Sequence, residues 1–341
     1  MTDPGYDLIK MLELTPVGTD AFQGVGTGGE TTMRIFGGHV IAQALRAAYL
    51  TLEGRLCHSL NAYFIRAGDP AVPVIYYVER TRDGGSFTTR RIVARQQDKE
   101  ILTMSASFQH EEAGVEHQHP MPACVGPQVL ASRSTLRHAE VHRLPEKHQE
   151  EFLRPRPVEV REVQPRDSFT PDPCSDKNQL WFRMMAAARQ SAIVQQCLLA
   201  YASDLNLLAS GLRPHGVTWF QPGVMVASLD HTIWFHRPTQ FETWHLYAMD
   251  SPFAGGGGRL TGVQFMPLTA IWWPVWRRKV WCGKTAPVKR IIAHLWQDPK
   301  PVNRCISPYY VHVAKLNYFS SGKFEFVFAR FNLRIPPIQR S

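Results

Sequence analysis

The same pattern occurs twice in this chain, 171 residues apart, and a repeat of that length dictates a fold made of two like units. Adding 171 carries Phe64-Ile65-Arg66 onto Phe235-His236-Arg237, Tyr76 onto Tyr247, Glu79 onto Asp250, and Gly84-Gly85 onto Gly255-Gly256. The 341 residues, 44% of them hydrophobic, are enough for two modest domains with a real core.

Each unit carries a helix ahead of its main run of strands. Val40, Ile41, Ala44, Leu45, Ala48 and Tyr49 recur at helical spacing behind Gly37-Gly38, which permit a tight entrance. The strand-like runs HSLNAYFIRAG, VPVIYYVERTR, SFTTRRIVARQ and KEILTMSASFQHE follow, each bounded by Gly, Asp or Pro. A buried helix followed by antiparallel strands is an α+β pattern. Residues 7–113 form this first unit. Residues 114–176, rich in Pro, Arg, His and Glu, read as a connector with one short helical stretch. The second unit begins at 177 with the strand QLWFRMMAAA. Ile193, Cys197, Leu198, Tyr201, Leu205 and Leu208 then recur at helical spacing, ahead of the strands MVASLDHTIWFHRPT and ETWHLYAMDSPF.

Charge divides the chain differently. Residues 259–341 hold 14 Lys and Arg against 2 Asp and Glu, a net +12 that leaves −3 for residues 1–258. Five of the nine tryptophans (272, 273, 276, 281 and 296) lie in the same tail. The overall +9 is therefore a property of the tail, which carries no nucleic-acid recognition motif. The six cysteines show neither CxxC nor metal-ligand spacing, no secretory leader opens the chain, and no apolar run spans a bilayer. The expected home is the cytoplasm, with the peroxisome as the alternative had a C-terminal address been lost.

The stretches RIFGGHVIAQAL, HSLNAYFIRAGDP, VERTRDGGSFTTRR, MSASFQ, YASDLNLL and PHGVTWFQPGVMVASLDHTIWFHRP, with the ladder into MDSPFAGGGG, resemble the acyl-CoA thioesterase II family. They cover nearly all of residues 7–258 in order. The resemblance implies a double hotdog fold, in which each unit is a long helix wrapped by an antiparallel sheet. It implies hydrolysis of medium- to long-chain fatty acyl-CoA to free acid and CoA by an activated water, without metal or bound cofactor. It also implies a homo-oligomer with no nucleic-acid partner and no membrane insertion. The family site is an Asp on the second unit's helix, a Ser or Thr just before an LDH segment, and a Gln on the last strand. By position the first two fall on Asp204 and Ser228.

The third has no counterpart, because the resemblance stops at Gly258. The first repeat closes with the strand ending Ser105-Ala106-Ser107-Phe108-Gln109, so the second should close near residues 272–282, where IWWPVWRRKVW stands instead. Tryptophan has the single codon TGG. Read from the third base, Trp272-Trp273-Pro274 forces Val-Ala, and the codons open to the following residues admit Val-Ala-Ser-Val-Ala-Gln-Glu-Gly-Val-Val-Arg. The expectation is a second unit, 177–258, lacking its last strands, then a frame-shifted tail, 259–341, produced by a frame change between about Phe253 and Gly258. DNA unable to encode Gln across codons 277 and 278 in that frame refutes this. The alternative to an active enzyme is a non-catalytic or unstable relative, since the Gln strand is missing and an open sheet edge is an aggregation liability.

Thioester hydrolysis needs a water, a group to take its proton, and donors for the oxyanion. The resemblance gives the proton to Asp204, directly or through Ser228, and the oxyanion to backbone N–H groups at the helix entrance. From spacing alone Asp204 is equally at home as a hydrogen-bonded structural carboxylate, and Ser228 is an ordinary small polar residue. His58, His231 and Cys57 look like hydrolase residues, yet a lone His in a strand is more often packed and hydrogen-bonded. Arg34, Arg66, Arg90, Arg91 and Arg237 are unassigned candidates for the CoA phosphates. The absence of GxSxG, Walker, GxGxxG and HExxH patterns leaves serine-elbow hydrolysis, nucleotide hydrolysis, dinucleotide redox work and zinc proteolysis without support.

Overall fold

A computed structural model describes residues 4–26, 34–115, 117–118, 120–221, 224, 226–255 and 258–267. In chain order the first unit contains α1 (Pro4–Met11), β1 (Thr15–Gly18), β2 (Ala21–Gly24), α2 (Gly37–Tyr49), β3 (Leu56–Phe64), β4 (Val74–Asp83), β5 (Phe87–Gln96) and β6 (Lys99–Gln109). The connector holds α3 (Arg133–Glu140), α4 (Glu146–Leu153) and β7 (Glu159–Glu162). The second unit contains β8 (Asn178–Arg183), α5 (Ala192–Ala202), α6 (Leu207–Leu212), β9 (Asp230–Trp234), β10 (His245–Gly255) and β11 (Gly258–Pro267).

Helix α2 is buried on every face, with only Gly37 and Arg46 of its thirteen residues outside the buried set. It can be so because two different layers cover it. The inward-facing residues of β3 to β6, among them Leu60, Tyr76, Ile92, Met104 and Phe108, pack against one side, and α5 lies antiparallel along the other. A methyl group built on Gly38 would lie 2.2 Å from the Tyr201 carbonyl oxygen, so only glycine permits this approach of the two helices. At the far end the Gln196 amide pairs with both the N–H and the C=O of Cys57 and accepts from Tyr49. Residues of both units therefore belong to one continuous apolar cluster. Burying side chains such as Ile41 and Leu45 there contributes roughly 2–3 kcal/mol each.

The two sheets run β1-β2-β4-β5-β6-β3-β9 and β11-β10-β8-β7. The 171-residue offset is a structural identity. In the first unit Glu79 pairs with Arg91 and Arg82 with Thr89 across a register shift. In the second Asp250 pairs with Gly262 and Phe253 with Leu260 across the same shift. Strands β3 and β9 are themselves counterparts and pair with each other, Leu60 with Ile233 and Asn61 with Thr232, so a local two-fold relation passes through the Asn61–Thr232 pair. The Asn61 Nδ2 donates to Thr232 Oγ1 at 2.6 Å across it. Tyr76 donates to the Gln43 side chain in α2, and Tyr247 donates to the Ser203 carbonyl at the end of α5.

The structure departs from the sequence reading in three places. The second helix is not continuous. Ser203 Oγ turns back to the Ala200 carbonyl at 2.8 Å, and Asn206 takes a left-handed conformation with φ 59°, which ends α5 and restarts the chain as α6. The connector holds two helices and the edge strand β7, which pairs with β8. Strand β11 pairs with β10 from Gly255–Gly258 to His245–Pro267, across the register shift already described, and so takes in residues 259–267 of the expected tail. The β6 counterpart falls by the same offset at residues 270–280, which lie outside the described residues, as does the expected frame-shifted tail from 268 onward.

Candidate active site

Asp204 sits in the break between α5 and α6 and is only 6% exposed. A buried carboxyl group needs donors, and its donor comes from the other unit: the Gly38 N–H donates to Asp204 Oδ2 at 3.0 Å. Phe36, at the N-cap of α2, has no side-chain cap hydrogen bond, so Asp204 caps that helix from outside at its second residue. The positive end of the α2 dipole faces the same carboxyl group. A methyl on Gly37 would lie 2.7 Å from Asp204 Oδ2 and 2.9 Å from the Phe64 ring, so the missing side chain makes room for the carboxyl group. Of the N–H groups at the helix entrance, Gly38 N–H serves Asp204, while His39 and Val40 N–H return to the Phe36 carbonyl. A substrate oxygen could take the Gly38 donor only by displacing Asp204.

Ser228 is half-buried, one residue before Leu229, whose carbonyl accepts from Phe64 N–H at 2.9 Å. Phe64 is the residue whose ring lies beside Gly37 and Asp204, so the fold brings the Ser228 segment to the corner that holds the carboxyl group. Arg34 reaches the Val226 carbonyl at 3.3 Å and pins the same segment from the α2 side.

Behind the carboxyl group is a polar network that sequence reasoning missed. Ser203 Oγ donates to the Ala200 carbonyl and accepts from His231 Nε2 at 2.8 Å, with both residues fully buried. Tyr247 donates to the Ser203 carbonyl at 2.5 Å, and burial first, then the charge of Asp204, holds its hydroxyl well above the usual phenol range. The tyrosine therefore stays a donor.

The other sequence candidates lie elsewhere. His58, six residues and about 20 Å along β3 from Phe64, pairs with Ser107 Oγ at 2.7 Å and packs edge-on against Phe87. Burial pushes the Cys57 thiol far up, and the Cys197 thiol up to about 12, so neither supplies a thiolate at neutral pH. Arg90 is buried and occupied by Asp83 and Thr51, and Arg91 pairs with Glu79 on the surface. Arg66 binds the Glu100 carbonyl. Among the described residues no group of three His, Cys, Asp or Glu could hold a metal ion, and no helix is long and apolar enough to cross a membrane.

Comparison with known proteins gives the same architecture. The solved acyl-CoA thioesterase II TesB2 of Mycobacterium marinum is 30% identical, with a TM-score of 0.64 over 94% of this chain and 100% of that one. Two paired hotdog units around a cross-capped helix thus define the class as a double hotdog thioesterase fold. Residues 28–109 match the family model of the acyl-CoA thioesterase N-terminal domain, and residues 147–266 match that of acyl-CoA thioesterase. Acyl-CoA thioesterase 2 of Haemophilus influenzae is 37% identical over 265 residues, 77% of this chain and 92% of the relative. Acyl-coenzyme A thioesterase 8 of Rattus norvegicus is 36% identical over 256 residues, 72% of this chain and 79% of the relative. The chain belongs to the acyl-CoA thioesterase family.

Proposed function

We propose that this chain hydrolyses medium- to long-chain fatty acyl-CoA thioesters, with Asp204 as the proton acceptor and Ser228 as a hydroxyl that orients the water. The observation that carries the reading is the buried Asp204 carboxyl group, held at the junction of the two units beside the Ser228 segment. Water attacks the thioester carbonyl carbon and gives its proton to Asp204. The tetrahedral intermediate then collapses with cleavage of the C–S bond, and the proton passes from Asp204 to the departing CoA sulfur, which leaves free acid and CoA thiol.

The reading extends to a homo-oligomer, supported by the outer sheet face, where Tyr63, Tyr77 and Trp234 are 56%, 45% and 38% exposed. It extends also to a cytoplasmic location, with the peroxisome as the alternative. Sedimentation of the purified chain and imaging of a tagged copy address these two points.

The direct experiment is thiol release from palmitoyl-CoA by the chain as given, beside its Asp204→Asn and Ser228→Ala variants. Asp204→Asn should lose about 10²–10⁴-fold in kcat while folding normally. An Asp204→Asn chain at full rate removes the assignment, and a folded parent that releases no thiol favours the non-catalytic alternative.

A further inference from the structure

We infer that His231 is a positioning residue for Asp204, acting through Ser203. The inference rests on the functional reading above. His231 lies on β9, three residues after Ser228, and Ser203 immediately precedes Asp204. Their hydrogen bond, 2.8 Å long and fully buried, ties the strand that carries one candidate site residue to the turn that carries the other. The Ala200 carbonyl can only accept, which sets the direction of the bond when Ser203 donates to it. Ser203 has one hydroxyl proton, which goes to the Ala200 carbonyl, so the serine oxygen accepts from His231 and the imidazole carries its proton on Nε2.

The internal repeat indicates what this histidine is not needed for. The same offset that relates Asn61 to Thr232 places Leu60 opposite His231 in the repeat, and Leu60 is likewise buried. A leucine therefore satisfies the packing of this inward position in the first unit. Burying an imidazole in place of an aliphatic group costs free energy unless its hydrogen bonds are made. The unit that accepts this cost is the one that carries the carboxyl group, and the bond ends one residue from it. Tyr247 holds the same residue by its carbonyl, so Ser203 is fixed from two sides and Asp204 is left little freedom to leave the α2 entrance.

The test is steady-state kinetics with palmitoyl-CoA and thermal unfolding on the full chain and its variants. His231→Leu installs the residue the first unit already accommodates, and it leaves the Ser203 hydroxyl still bonded to Ala200. It should lower kcat by about ten- to a hundredfold, with KM and the melting midpoint near the parent values. Ser203→Ala should lower kcat to a like degree but also lower the melting midpoint, because it removes the acceptor of the buried His231 Nε2–H, and the double variant should have a kcat no worse than the poorer single one. His231→Gln, which keeps an N–H donor, should recover much of the rate. A folded His231→Leu with the parent kcat overturns the inference, as does a loss of activity that only follows the folded fraction. Should His231→Leu fail to fold, Ser203→Ala decides alone by the same criteria. Asp204→Asn separates the two levels. If it is inactive while both other variants run at the parent rate, only the role of His231 falls; if it is active, or the parent releases no thiol, the functional reading falls and takes this inference with it.

Discussion

At the scale of single residues, Gly37 and Asp204 are two halves of one arrangement: a carboxyl group reaches a helix end because the residue in its way has no side chain. Gly37→Ala should displace the carboxyl group and lower kcat by about tenfold or more, with the protein still folded by circular dichroism. The two-fold duty of Asp204 also separates on mutation. Asp204→Asn keeps an oxygen for the Gly38 N–H and should leave the melting midpoint nearly unchanged, whereas Asp204→Ala uncaps α2 and should cost about 0.5–2 kcal/mol by urea unfolding. His39 contributes a pH dependence. Burial lowers its imidazole from 6.5 to about 4, with its Nε2–H donated to the Val25 carbonyl. Because the unfolded chain takes up that proton first, this contribution is complete above pH 6.5 and is lost as pH falls towards 4, up to about 3 kcal/mol. Burial lowers His245 in the same direction. The melting midpoint of the parent should fall across that window, and that of His39→Gln should fall less.

Among the elements, the α5–α6 break shows where pattern reading succeeds and where it does not. Apolar spacing from Ile193 to Leu208 made one helix legible, but not that α5 is buried on every side from Gln195 to Ala202. It could not show that Ser203, which is also bonded to His231 from β9, would bond back to Ala200, or that Asn206 would turn left-handed. The strands β3 to β6 were legible because their alternation and Gly, Asp and Pro boundaries are local. Asp204 and Ser228 could be named from motif order, yet the cap on Gly38 was invisible, as it joins residues 166 apart across two units. The break is testable at Asn206. A β-branched residue such as Val tolerates φ 59° poorly, so Asn206→Val should cost about 1–2 kcal/mol, while Asn206→Gly should be nearly neutral, both by chemical denaturation.

For the whole molecule, the shared core and the helix capped from the opposite unit join the described residues of the two units into one packed body. Unfolding followed by tryptophan fluorescence and by far-ultraviolet circular dichroism should therefore give one coincident transition; two separated transitions would mean that the units are energetically independent. The pairing of β3 with β9 around Asn61 and Thr232 has a further consequence. In a dimer of identical subunits every substitution appears on both sides of the axis, so a residue suited to only one side is carried twice. Within a single chain the axis joins sequences free to differ, as Leu60 differs from His231. The two halves thus divide the labour, and a tight-binding non-hydrolysable acyl-CoA analogue should saturate the protein at one equivalent per chain, half of what the architecture counted by its units would suggest.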